Sequence, residues 1–278
     1  MKLEHKYSDF LNSFRPSSEE YSRRFQIAKS EALFGWSEIS DHLSPELKCL
    51  EVGAGSGMLS AIAAQSGANV FALEPVAAGF SDNEQILRLV EKHGAKTLTL
   101  IRQDIENFEP NERYDFIWSI NVFEHLDNWR EGIAKVHSLL NDGGRCLILC
   151  PNYFIPYEPH FSLPIIGGKS LTHSLFRNRI ARHENSRNAE GLWDSLNLIT
   201  AGKVLSYCKS QNIQVSLDAT VMRRVYRRFS SSDDIGKRHG WIGWLVKFFE
   251  KVGITRIASS IPPSFQPYMA ITLYKPEL

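Results

Sequence analysis

The sequence predicts a doubly wound α/β fold built around a parallel sheet. From Lys48 onward, short apolar runs alternate with amphipathic helical patterns. The short runs are apolar throughout, as strands covered on both faces must be. A glycine-rich stretch, "EVGAGSG" at residues 51–57, stands where the first apolar run gives way to a helical pattern. Folds of this class bind ligands at such strand-to-helix turns.

Residues 1–46 are polar, punctuated by aromatics, and read as an N-terminal helical lid. Phe25, Ala28, Ala32, Leu33 and Trp36 recur at helical spacing, and Ser44-Pro45 ends the pattern. "KCLEVG" is then a strand, and "MLSAIAAQSG" a helix that stops at Gly67. "NVFALEP" is the second strand, followed by a helix over "SDNEQILRLVEKHG", with Ser81 or Asp82 as its cap. "TLTLIRQD" and "YDFIWSI" are the third and fourth strands, and "DNWREGIAKVHSLLNDGG" a long helix stopped by glycine. "RCLILCP" is the fifth strand. "LITAGKVLSYCKSQN", "IQVSLD" and "PYMAITLYKP" add a helix and two strands. Two stretches break this rhythm. Residues 151–198 are rich in Pro, Tyr, His and Arg, and residues 219–264 are basic and aromatic. Residues 47–278 therefore read as one domain carrying two insertions that cap the substrate.

Composition excludes several classes. The net charge of +1 over 278 residues makes the whole chain a poor ligand for nucleic acid. None of the four cysteines forms a CxxC pair, so neither a zinc knuckle nor a redox couple is indicated. The N-terminus carries no apolar signal-peptide core, and no run is long enough to span a bilayer. The expected location is cytoplasmic.

The glycine turn chooses among nucleotide ligands. Glycines there let the backbone approach a ligand closely, and free N–H groups at the helix start favour electron-rich groups. The dinucleotide fingerprint is GxGxxG, whereas Gly53, Gly55 and Gly57 are spaced GxGxG with Met58 at the sixth position. Glu51, just ahead, suits a cofactor carrying an ammonium and a sulfonium. Glu74 closes the second strand, where a carboxylate can hold both ribose hydroxyls; alone it also fits an exposed strand-end charge.

"EVGAGSG", "ALEP", "RQDIENF", "DFIWSINVFEHLDN" and "LLNDGGRCLILCPN" follow in order. Together they resemble the class I S-adenosylmethionine-dependent methyltransferases, in the ubiquinone-biosynthesis-like branch that carries "FEHL" after strand four. The resemblance covers roughly residues 45–152, with weaker echoes at 200–218 and 268–276. It implies a Rossmann-like sheet of seven strands, the last antiparallel and inserted as "PYMAITLYKP". It also implies S-adenosylmethionine as cofactor. Gly53, Gly55 and Gly57, with Ala54 among them, border its methionine moiety; Glu51 holds the ammonium, Glu74 the ribose, Asp104 and Ile105 the adenine, and Asn121 the methionine side.

Methyl transfer from a sulfonium needs mainly positioning, with a base where the acceptor is a hydroxyl. His125 in "FEHL" and His160 in "PNYFIPYEPHFSLPIIGG" are the base candidates, His125 alternatively serving hydrogen bonds of its loop or of a helix start. Tyr153, Tyr157 and Glu158 join His160 as a substrate wall or, alternatively, a structural cap. Arg223 and Arg227, within "MRRVYRRF", fit an anionic acceptor or a solvated face. The stripe of Trp241, Trp244, Leu245, Phe248, Phe249 and Val252 fits core or lid packing, or a membrane surface. No metal is expected, because Asn152 has no acid beside it. The expected activity is O-methylation of a non-protein small-molecule, glycan or lipid-linked acceptor. A non-catalytic cofactor-binding scaffold and an NAD-dependent oxidoreductase are the rival readings. An RNA methyltransferase is disfavoured by the near-neutral charge and the absence of an appended RNA-binding motif.

Overall fold

The computed structural model describes residues 2–16, 22–75, 83–186, 189–225 and 261–277. Its strands are β1 (Lys48–Val52), β2 (Asn69–Leu73), β3 (Leu98–Ile101), β4 (Tyr114–Ile120), β5 (Leu140–Pro151), β6 (Tyr157–Glu158), β7 (Leu163–Pro164), β8 (Gln214–Leu217) and β9 (Tyr268–Tyr274). Its helices are α1 (Lys2–Asn12), α2 (Ser22–Ile39), α3 (Met58–Gln65), α4 (Glu84–His93), α5 (Trp129–Ser138), α6 (Lys169–Ser186), α7 (Leu192–Ser195) and α8 (Ala201–Ser210). Seven strands form one sheet ordered β3-β2-β1-β4-β5-β9-β8, and β6 pairs with β7 in a separate hairpin. β1 to β5 pair in parallel, while β9 inserts between β5 and β8 antiparallel to both. This is the Rossmann-like sheet with an antiparallel last strand that the motifs imply.

The two-residue period of the strands divides the core. Leu50, Val52, Ile117, Cys146, Ile148 and Cys150 face one side, packed against α5, α8 and the segment around Phe161 and Trp193. Cys49, Phe116, Trp118, Leu147 and Leu149 face the other, against α1, α2, α3 and α4. The strands are apolar throughout because each face meets its own helical layer. The N-terminal helices are built into that second layer: Phe25, Ala28, Ala32, Trp36 and Ile39 are all buried there. All four cysteines are buried and unpaired, as small core residues.

Two elements differ from the sequence reading. α5 ends at Ser138 rather than at the glycines, because Leu140 already pairs with Tyr114 and the Tyr114 N–H donates to the Leu139 carbonyl at 2.8 Å. The first insertion contains the 18-residue α6, kinked at Phe176. Among its side chains only Thr172 and Ile180 are buried, so it has no apolar stripe to reveal it. Ser81 and Asp82, Arg227, and the 241–252 stripe lie outside the described residues. The described cap of α4 is Asn83, whose side-chain oxygen does not cap the helix but accepts from the Arg24 guanidinium at 2.8 Å.

Candidate active site

The carboxyl edges of β1 to β4 lie side by side, and the predicted cofactor residues all leave from them. After Val52 the chain turns sharply: the N–H groups of Gly53 and Ala54 both donate to the Leu73 carbonyl, at 2.9 and 2.8 Å. Gly53 takes a left-handed φ of 74° and packs so tightly that a Cβ there would sit 2.3 Å from Cγ2 of Val122. Gly55 and Gly57 are left-handed too, and Gly57 opens α3. Glu51 is 3% exposed and accepts a hydrogen bond from the Ser60 hydroxyl. Burial pushes its carboxyl up to about 8, with the Ser60 bond opposing.

Glu74 ends β2 and accepts from the Gly55 N–H at 2.5 Å, which aims its carboxylate at the glycine turn. Asp104, in the turn after β3, accepts from the Asn107 N–H at 2.7 Å. Ile105 is buried in the core cluster. Asn121 follows β4 with a left-handed φ of 56°, a conformation asparagine tolerates, and its side-chain oxygen accepts from the Tyr268 hydroxyl at 2.8 Å.

One turn of chain leads from this half to the second. Val122 touches Gly53, and its carbonyl accepts from the His125 N–H at 2.8 Å. His125 then faces His160, with ring centroids 5.3 Å apart. His160 sits in the β6–β7 hairpin, so the insertion after β5 folds back over the loop after β4. Each ring is held through Nδ1. Ser195 Oγ lies 2.8 Å from that of His125, and Glu158 Oε1 lies 2.6 Å from that of His160. Because the Ser195 hydroxyl donates to the Leu192 carbonyl at 2.9 Å, its oxygen accepts from His125, which fixes that tautomer. Burial lowers His125 to about 3, keeping it neutral. Burial also works against the charged form of His160, but the Glu158 carboxylate outweighs it and the net shift is upward. Glu158 shifts downward: its burial is outweighed by His160 and the Phe161 N–H.

Glu124 is the unexpected member. It is fully buried, and neither carboxylate oxygen has a hydrogen-bond partner. Burial raises it to about 7, with His160 pulling the other way. The loop that carries it is pinned from α7: Asn197 donates through Nδ2 to the carbonyls of Phe123 and Leu126 and through its N–H to that of Glu124. Ser195 and Asn197 carry no sequence signal, since 70 residues separate Ser195 from its partner. The pairing of Glu158 with His160 had a faint one, an acid and a histidine two apart in a short extended run.

Several predicted substrate residues have other work. Glu158 is fully buried and accepts from the Tyr153 hydroxyl at 3.2 Å, His160 and the Phe161 N–H, so it stands behind His160 rather than on a substrate wall. Tyr153 is likewise a buried support. Tyr157 is half-buried, with a covered hydroxyl that has no partner. Arg223 points to solvent. Its neighbour Arg224 grips the buried Glu38 carboxylate through Nε at 2.7 Å and Nη2 at 2.6 Å, and pairs with Asp218, so it ties α2 to the chain after β8 instead of meeting an anion. Asn152 is a buried bracket: its amide nitrogen donates to the Ser264 and Gln266 carbonyls, and its oxygen accepts from the N–H groups of Phe154 and Ala201. No helix of the described residues is long and apolar enough to cross a membrane.

Comparison with known proteins agrees with this fold. A family model described as "Methyltransferase domain" matches residues 3–199. The uncharacterized protein Rv1509 of Mycobacterium tuberculosis is 32% identical over 235 residues, covering 81% of this chain and 78% of that protein. A ubiquinone biosynthesis O-methyltransferase of Bradyrhizobium is 25% identical over 123 residues, 44% of this chain and 46% of that enzyme. The solved S-adenosylmethionine-dependent methyltransferase of Mesorhizobium loti shares the fold with a TM-score of 0.54 at 12% identity, covering 88% of this chain and 99% of that one. The match of the family model over most of the chain, on a sheet of this order with its glycine turn at β1, places the chain in the class I S-adenosylmethionine-dependent methyltransferase family.

Proposed function

We propose that this chain methylates an oxygen of a non-protein acceptor, a small molecule or a glycan or lipid-linked group, using S-adenosylmethionine. The residues that would hold it leave the edges of β1 to β4: Glu74 would bind its ribose and Glu51 its ammonium. The observation that carries the acceptor side is the facing pair His125 and His160, one turn of chain from Gly53. His160 keeps 30% of its side chain exposed, so an acceptor can reach it, while Glu158 holds its Nδ1–H and leaves Nε2 to take a proton. In the transfer, an acceptor oxygen lone pair attacks the methyl carbon. Bound S-adenosylmethionine would supply the methyl group, its sulfur keeping the electrons of the broken carbon–sulfur bond, while His160 would take the hydroxyl proton and Glu158 would stabilise the resulting cation. The similarity to ubiquinone biosynthesis O-methyltransferases favours oxygen as the acceptor atom. α2 serves as a lid: its Arg24 binds Asn83 beside the glycine turn, and its Glu31 lies within electrostatic reach of His160.

Two measurements test this reading. S-adenosylhomocysteine should raise Tm by mass action and NAD should not; stabilisation by NAD alone overturns it. Incubation with methyl-labelled cofactor and fractionated cell extract should label a small or lipid-soluble product. His160→Ala should slow that transfer while cofactor affinity stays within ~0.5 kcal/mol, as for a separate site. Label found only in protein or RNA overturns the acceptor class.

A further inference from the structure

We propose that Glu124, His125 and His160 form a binding site for one divalent transition-metal cation of the zinc class, placed to hold the acceptor's oxygen. The inference rests on the proposed function only for what the cation would bind, and it replaces the base role given there to His160: a ligating Nε2 takes no proton, and an acceptor hydroxyl made more acidic by the cation would release its proton to solvent. The site itself stands on geometry. The ligand atoms of the three residues all lie within 4.8 Å of one another, and His125 Nε2 is 3.9 Å from Glu124 Oε1. Nitrogen and oxygen ligands ~2.0–2.2 Å from a tetrahedral zinc stand ~3.4 Å apart, so side-chain shifts of about an ångström close the set.

The second observation is Glu124 itself. Its carboxylate is fully buried, both oxygens lack a partner, and it lies in this cluster. A buried carboxylate in that state is strongly disfavoured unless a cation or a proton meets it. The third is the outer support. Metal-binding histidines commonly donate their second N–H to a carboxylate or other fixed acceptor, which orients the ring. Here Glu158 does this for His160 Nδ1 at 2.6 Å and Ser195 for His125 Nδ1 at 2.8 Å, and His125 presents Nε2 to Glu124 Oε1 at 3.9 Å. Two imidazoles and one carboxylate select zinc and its neighbours over magnesium, which prefers oxygen. Three protein ligands leave a coordination position open, and the partly exposed His160 marks the side from which an acceptor oxygen can enter. The fold alone brings this set together, which is why the sequence pointed to no metal: it offered only Asn152, a structural bracket.

The test measures metal directly on the full chain. After chelation and buffer exchange, Zn²⁺ should bind at one equivalent per chain, and Co²⁺ should give the visible absorption of a four- or five-coordinate site. Glu124→Gln and His160→Ala should each weaken Zn²⁺ binding more than ~10-fold, and Glu158→Gln by ~10–100-fold. Unchanged S-adenosylhomocysteine affinity in each variant shows that the fold and the cofactor half survive. Wild-type affinity for Zn²⁺ no greater than that of Glu124→Gln and His160→Ala overturns the site. If wild type binds no zinc yet still transfers label, the metal proposal fails and the methyltransferase reading stands. If zinc binds tightly but no methyl group is transferred, the site stands and the function falls.

Discussion

Replacing Gly53 by alanine probes the joint between the cofactor turn and the acceptor loop. Two separate penalties meet at this residue. Its φ of 74° lies in the left-handed region, which disfavours an alanine by ~1–2 kcal/mol. The new methyl would also sit 2.3 Å from Cγ2 and 3.0 Å from Cγ1 of Val122, an overlap that only a shift of that side chain or its backbone can relieve. Forced overpacking of this kind costs ~1–3 kcal/mol. The expected loss is therefore ~2–5 kcal/mol, read by urea unfolding. The two terms separate in a double-mutant cycle. Val122→Ala removes both γ-methyls but leaves its Cβ 3.2 Å away and the dihedral strain in place, so the cycle, after subtracting the cost of Val122→Ala in wild type, should give a coupling of ~1–3 kcal/mol. S-adenosylhomocysteine affinity should fall in Gly53→Ala, because the turn that borders the cofactor must move. A Gly53→Ala protein within ~0.5 kcal/mol of wild type, or a coupling to Val122→Ala near zero, would refute the reasoning.

Glu74→Ala should weaken cofactor binding by ~1.5–3 kcal/mol, measured by calorimetry, through loss of charge-assisted hydrogen bonds to the ribose; unchanged affinity would make Glu74 only a brace for the Gly55 N–H. Arg224→Ala should destabilise the fold by ~3–5 kcal/mol, since it leaves the buried Glu38 carboxylate unpaired, whereas exposed Arg223→Ala should fall within ~0.5 kcal/mol of wild type. Glu51 predicts a pH slope. Its folded pKa of about 8 lies above the usual 4.5, so the folded state holds a proton that the unfolded chain releases. Its contribution to stability is then complete below about pH 4.5 and is lost as pH rises through about 8, at up to ~1.4 kcal/mol per unit. Denaturation midpoints of the cofactor-free protein across that window should fall with pH, and Glu51→Gln should flatten the slope.

Much of the fold could be read from the sequence because its strands are buried on both faces. "YDFIWSI" is apolar enough, and flanked clearly enough, that the predicted strand and β4 coincide at Tyr114–Ile120. α2 showed its apolar positions at helical spacing because it packs on the sheet layer through Phe25, Ala28, Ala32 and Trp36. α6 shows the converse. With two buried side chains in 18 residues, it is set by its ends and neighbours and leaves no periodic mark. The end of α5 was misjudged for a different reason. The glycines at 143–144 are breakers, but pairing of Leu140 with Tyr114 draws the chain into β5 before they are reached. Tertiary pairing there overrides a local signal.

The two halves of the site differ in the same way. Parallel strands deliver their carboxyl ends to one edge in a fixed order, so Glu51, Gly53, Glu74, Asp104 and Asn121 become neighbours merely by ending successive strands. The edge runs β3-β2-β1-β4, so each motif's rank in the chain assigns it one place on that edge, and motif spacing suffices. The half proposed to meet the acceptor obeys no such rule. His125 belongs to the loop after β4, His160 to a hairpin turn after β5, and Ser195 and Asn197 to the end of α7 and the residues after it. Each histidine could be placed at the right edge, but nothing in its spacing said that the two would face each other across 5.3 Å. Nor did the sequence separate Glu124, whose buried carboxylate lacks any hydrogen-bond partner, from Glu158, whose carboxylate is fully engaged. That difference decides their chemistry. Glu158 can only orient and stabilise His160, while Glu124 retains its full capacity to bind something positive. The insertion after β5 thus supplies His160 and its support, while the edge that carries Gly53 and Glu74 is set by the strands.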